Sequence, residues 1–110
     1  MDLRNTYTGM NNPEIVIEKV GRTTYMYIPY DITEENGAYS WKYVLLTSSK
    51  YGYENMVDAI IGIRYELKKA LAIISNYLLD PTNEEYKNEF DEYQQWRTFA
   101  KMEAKKHFKL

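Results

Sequence analysis

The feature that most constrains the fold is a change in the period of the apolar residues at about residue 50. Before it, apolar and β-branched residues gather in three short runs that alternate with polar ones, the period-two pattern of strands. After it, Tyr53, Met56, Val57, Ile60, Ile61, Leu67, Leu71, Ile74 and Leu78 recur at three- and four-residue steps, the pattern of a helical stripe. A strand half followed by a helix half defines an α+β fold.

In the strand half, residues 14–20 are β-branched at their centre and end at Gly21-Arg22, which predicts a strand and a tight turn. Residues 23–30 form a second, aromatic-rich run that tolerates Pro29 near its end or at an edge. Residues 38–47 form the third, after a connection over 31–37 in which Asn36-Gly37 favours positive φ. The expectation is a three-stranded antiparallel meander. Its alternation puts Tyr39, Trp41, Tyr43 and Leu45 on one face and Ser40, Lys42 and Val44 on the other, and the aromatic row is expected to face the helices. Tyr25 and Tyr27 alternate with Met26 and Ile28, so both faces of the second strand carry apolar bulk, which favours an extra layer or a partner chain. Residues 1–13, with Gly9, Asn11, Asn12 and Pro13, read as a flexible arm, mobile or docked on a partner, ahead of one domain over 14–110.

The helix half is expected to divide in two near Gly62, where glycine costs about 1 kcal/mol relative to alanine and Ile63-Arg64-Tyr65 crowds bulky side chains. Asp80-Pro81 ends the second helix. Thr82 or Asn83 caps the last one, with Glu84 and Glu85 in its first turn and Lys105, Lys106 and Lys109 at its end, the charge order that the helix dipole favours. Tyr86, Phe90, Tyr93, Trp96, Ala100, Ala104 and Phe108 make one stripe over about six turns, about 36 Å at 1.5 Å per residue. A core this small is not expected to cover it, so the last helix is predicted to run past the domain. Trp96, Phe99 and Phe108 then join Tyr25 and Tyr27 as candidate residues of an intermolecular contact, with a dimer as the simplest form.

Few chemistries remain open. Without cysteine there is no disulfide, thiolate metal site or cysteine nucleophile, which fits a reducing compartment. A hydrolytic triad would have to use His107, the one histidine, near the end of the last helix. Glu103 and His107 share a helix face at i and i+4, but two ligands without a second cluster make a poor metal site, and a salt-bridged helix end is the plainer reading. Glu85, Glu89 and Glu92 lack the Glu-x-x-His partners of a bundle metal centre. Residues 31–37 resemble a calcium loop only until the glycine falls one position late and Lys42 takes the place of the terminal glutamate, so they read as a hairpin turn. Glycine-rich phosphate loops are absent. The expectation is a chain with no catalytic residues, cofactor, metal or small-molecule substrate.

Net charge is −2, from 14 basic and 16 acidic residues, which supplies no global attraction to nucleic acid or anionic lipid. Arg97, Lys101, Lys105, Lys106 and Lys109 form the one basic cluster; of these Arg97, Lys101, Lys105 and Lys106 are the candidate phosphate contacts. Tyr25, Tyr27, Tyr39, Trp41 and Tyr43 suit core packing first, a protein interface second and base stacking third, since only Lys19, Arg22 and Lys42 lie close to them. The N-terminal residues lack a basic patch followed by an apolar run, and no stretch approaches the roughly 18 apolar residues of a membrane span.

The segment Tyr51-Gly52-Tyr53-Glu54-Asn55-Met56-Val57-Asp58-Ala59-Ile60-Ile61-Gly62-Ile63-Arg64-Tyr65 resembles a group of small uncharacterised proteins of phages and prophages of gut Bacteroidetes. The likeness continues through Ala72-Ile73-Ile74-Ser75-Asn76-Tyr77-Leu78 and Tyr93-Gln94-Gln95-Trp96-Arg97-Thr98-Phe99-Ala100-Lys101, spanning roughly residues 39 to 106. In that group a serine usually follows the Arg-Tyr step as a helix cap; here it is Glu66. The resemblance implies a phage or prophage setting, in the bacterial cytoplasm or in the virion. The function expected is a non-enzymatic protein–protein interaction module, a structural or assembly component, by self-association or with another protein. A host-directed binding protein and a nucleic-acid accessory protein are the alternatives.

Overall fold

The computed structural model describes residues 1–110. Four strands, β1 (Tyr7–Gly9), β2 (Val16–Val20), β3 (Thr23–Glu35) and β4 (Ala38–Thr47), lead through a 3₁₀ turn, Ser48–Lys50, to three helices, α1 (Tyr53–Arg64), α2 (Leu67–Leu79) and α3 (Glu84–Phe108). The α+β class and the helical second half are as the periodicity predicts. Strand order is β1-β4-β3-β2, every neighbour antiparallel, so the β2-β3-β4 meander is present and gains a fourth strand. That strand comes from the segment expected to be an arm: Tyr7, Thr8 and Gly9 pair with Trp41, Ser40 and Tyr39. Gly9 is what permits it, because a Cβ there would stand 3.1 Å from the Trp41 ring.

The turns follow their residues. Val20 faces Thr23 across Gly21-Arg22, with Gly21 at φ 61°, and Glu35 faces Ala38 across Asn36-Gly37, both at positive φ. The connection expected over 31–37 is therefore only two residues long, and β3 runs on to Glu35. Between the Tyr30–Lys42 and Thr33–Ser40 pairs the strand carries one extra residue. This bulge puts Asp31 at φ 52°, and its N–H leaves the ladder to donate to the Glu103 carboxylate at 3.1 Å.

The expected orientation of the sheet is inverted. The core holds Ile28, Tyr30, Val44 and Leu46 of the sheet against Met56, Val57 and Ile60 of α1 and Ala100 and Ala104 of α3. Those strand residues belong to the even-numbered face, so the row Tyr39, Trp41, Tyr43, Leu45 lies on the opposite one. The reason lies in the packing: Ile28, Val44 and Leu46 join the aliphatic side chains of α1 and the small Ala100 and Ala104 of α3 in one buried cluster, while the rings of the aromatic row satisfy one another on the other face.

Two helices do occupy residues 53–79, but Gly62 is not the break. It sits exposed inside α1; the chain turns at Tyr65 and Glu66, both extended. Tyr65 is buried edge-on against Tyr93 with ring centroids 5.1 Å apart, and that contact anchors the corner. Glu66 makes no side-chain cap bond. Asp80 ends α2, and Asn83 caps α3 by accepting from the Tyr86 N–H.

The α3 stripe is covered after all, because the α1-α2 hairpin lies along it. Trp96 donates from Nε1 to the Ile60 carbonyl at 3.0 Å and stacks on Phe99; Phe99 contacts Tyr30; Phe108 meets Tyr51. The unpartnered apolar residues are instead on α2, which buries Ala70 and Ile73 and leaves Leu67, Leu71, Leu78 and Leu79 outside. No helix is long and apolar enough to cross a membrane.

Candidate protein interface

The sheet builds two adjoining surfaces that no helix covers. On the open face, Tyr43 is a hub: Tyr7, Tyr27 and Trp41 meet its ring edge-on at 5.2, 6.4 and 6.2 Å. Tyr43 itself is buried by these neighbours, while Tyr7, Tyr25, Tyr27, Tyr39, Trp41 and Leu45 stay half-buried. The indole Nε1 of Trp41 is shut from solvent with no hydrogen-bond partner. The second surface is the outer edge of β2, paired only with β3, where all five residues are exposed and Ile17 and Val20 show 59% and 55% of their surfaces. An edge with open N–H and C=O groups and β-branched side chains is a template for another strand.

The five candidate contact residues thus separate. Tyr25 and Tyr27 lie on the open sheet face; Trp96, Phe99 and Phe108 pack against the core inside the domain. The four candidate phosphate contacts are brought only partly together. Arg97 is held by Gln94 at 3.0 Å and lies 5.8 Å from the centre of the Tyr93 ring, and Lys106 pairs with Glu103 at 3.2 Å. Lys101 and Lys105 remain exposed, beside Lys109 at a shallow recess of about 540 Å³.

A polar cluster that sequence reasoning did not assemble lies where α3 meets the bulge. Glu103, 7% exposed, accepts from the Asp31 N–H through Oε2 and from Lys106 through Oε1. Tyr30 points its hydroxyl into the same region without a partner, and burial, aided by the charges of Asp31 and Glu103, pushes its pKa up to about 12. One signal was available: Glu103 falls on the apolar stripe, three residues after Ala100. His107 does not join Glu103; its Nε2 meets the Tyr51 hydroxyl at 2.6 Å. No group of three or more His, Asp or Glu side chains gathers in a form that could hold a metal.

Burial lowers the His107 pKa below 6.5, because desolvation disfavours the imidazolium. His107 is the one histidine, so its ring resonances are unambiguous, and an NMR titration is expected to give a midpoint below 6.5. A group depressed in this way contributes stability above pH 6.5 that is lost as pH falls through its folded midpoint. A midpoint above 6.5 would mean that the burial of the His107 ring does not persist in solution or is outweighed by a bond to the imidazolium.

These features define an α+β protein: a four-stranded antiparallel sheet with helices on one face and an aromatic face and apolar edge left open. No family model, curated protein or solved structure matches the chain.

Proposed function

We propose that this chain is a non-enzymatic protein–protein interaction module, a structural or assembly component in a phage or prophage setting, that receives its partner on the sheet. One observation carries the reading: the tyrosine- and tryptophan-rich open face is continuous with the unpaired β2 edge. Aromatic residues supply large, rigid contact area and are the side chains that most often anchor protein interfaces. An extended segment added to β2 would gain main-chain hydrogen bonds from the edge and side-chain contacts from Val16, Glu18 and Val20, which share the open face with Tyr25 and Tyr27 one strand further in.

A nucleic-acid accessory role is the second reading, through Lys101, Lys105 and Lys109. Neutralisation of Lys106 by Glu103 and the engagement of Arg97 leave few free cations for phosphate. The two readings separate on site-specific photo-crosslinking in the bacterial host, with a photoreactive phenylalanine at Tyr27, at Lys105 or at exposed Asn88 as a control. The expected result is a discrete protein adduct from Tyr27 and none from Asn88, with mass spectrometry showing whether the partner is phage- or host-encoded. A nucleic-acid adduct from Lys105, with no protein adduct at Tyr27, would replace the first reading by the second.

A further inference from the structure

From the surface of α2 we infer that two copies of this chain associate through antiparallel packing of their α2 helices, an interface separate from the sheet and independent of the reading above. The sequence of α2, LKKALAIISNYLL, gathers Lys68, Lys69, Ser75 and Asn76 on one side and leaves an apolar stripe broader than its own domain covers. Only one side is enclosed: Ala70 and Ile73 are buried and Tyr77 stacks on Phe90 at 4.2 Å. On the outer side Leu67, Leu71 and Leu78 stand 76%, 54% and 72% exposed, with Ile74 half-buried between them.

The steps from Leu67 to Leu71, Ile74 and Leu78 are four, three and four residues, the spacing of a coiled-coil seam. A two-fold axis between residues 72 and 73 sets Leu67 against Leu78 of the second copy and Leu71 against its Ile74, so the stripe is its own complement. Charge selects the direction. Lys68 and Lys69, after the N-cap Glu66, give the start of the helix a net positive charge, whereas Asp80, Glu84 and Glu85 follow its end, all exposed. Antiparallel packing brings Lys68 of each copy toward the acidic end of the other and opposes the helix dipoles, while parallel packing would set lysine against lysine. Beside the seam runs a groove of about 820 Å³ whose α2 wall is Leu67, Ala70 and Ile74, so a second helix lying there extends its apolar contact. A second copy supplies every one of these complements, which is why it is the occupant.

Sedimentation velocity on the full chain up to about 0.5 mM is expected to give a species of twice 13.1 kDa that dissociates on dilution. L71E/L78E is expected to weaken the dimer at least about 100-fold while leaving the circular dichroism spectrum and, at concentrations where the parent chain is monomeric, the unfolding midpoint in place, because both leucines are exposed. The chain has no cysteine of its own, so oxidation of L67C/L78C reports geometry directly. Within one helix those positions are about 16 Å apart at 1.5 Å per residue, beyond disulfide reach, so covalent dimers form only across an antiparallel pair. Each single cysteine variant is expected to stay uncrosslinked. A monomer of 13.1 kDa throughout, a dimer indifferent to L71E/L78E, or efficient crosslinking of L67C alone would each overturn the inference.

Discussion

Replacing Ile60 by alanine is expected to lower the thermal midpoint by roughly 8–40 °C. Ile60 has no exposed surface and sits where α1, α3 and the helix-covered face of the sheet converge, against Ile28, Val44, Met56 and Ala100. Truncating a fully buried isoleucine costs about 2–5 kcal/mol through lost transfer energy and the cavity left behind. A midpoint moves by about 4–8 °C per kcal/mol in domains near this size. The backbone adds to the expectation, since the Ile60 carbonyl receives the Trp96 indole N–H at 3.0 Å and any shift of α1 strains that bond. Leu79→Ala, at a position 83% exposed, is the matched control and is expected to change stability by no more than about 0.5 kcal/mol. Thermal unfolding followed by circular dichroism measures both. Equal losses from the two variants would mean that the core does not lie where α1, α3 and the sheet meet.

Where the chain changes from strand to helix was legible, because period two and period 3.6 are distinct patterns and the punctuation at Gly21, Asn36-Gly37 and Asp80-Pro81 is local chemistry. Which face of the sheet meets the helices was not. Alternation separates Tyr25 and Tyr27 from Met26 and Ile28, but both rows are apolar, and hydrophobicity alone chose the larger aromatic row. The deciding information lay in distant residues, Met56, Val57 and Ile60 of α1 with Ala100 and Ala104 of α3, which close one buried cluster with Ile28, Tyr30, Val44 and Leu46.

The same tertiary override explains β1 and the bulge. A three-residue strand containing glycine has no periodic signature, and it exists because Gly9 lets the Trp41 ring approach. Asp31 reads as a turn former, and locally it is one at φ 52°, yet the chain resumes its ladder because Glu103 satisfies the freed N–H. Exposure of Leu67, Leu71 and Leu78 was equally invisible: a broad apolar stripe does not announce which part of it its own domain will cover. The candidate contact residues accordingly lie in two places, Tyr25 and Tyr27 on the open sheet face and Trp96, Phe99 and Phe108 packed against the core.

Raising the pH from 10 to 12 is expected to remove about 2 kcal/mol of stability through Tyr30 alone, and Tyr30→Phe is expected to abolish that share. Tyr30 is 2% exposed and its hydroxyl has no partner, with Asp31 and Glu103 close enough to oppose a phenolate. Its pKa in the folded chain rises from 10.0 to about 12, two units at about 1.4 kcal/mol each. Below pH 10 the phenol is protonated in both states, so the perturbation has no effect there. Between 10 and 12 the unfolded chain releases the proton and the folded chain holds it, so stability falls as pH rises. At neutral pH, Tyr30→Phe deletes a buried polar group that makes no bond, which predicts a change between zero and a gain of about 1 kcal/mol. Urea unfolding of both proteins at neutral pH and through the alkaline limb tests the two statements together. A loss above about 1 kcal/mol for Tyr30→Phe at neutral pH would show that the hydroxyl is bonded in solution, as a hydroxyl that donates to Glu103 would be.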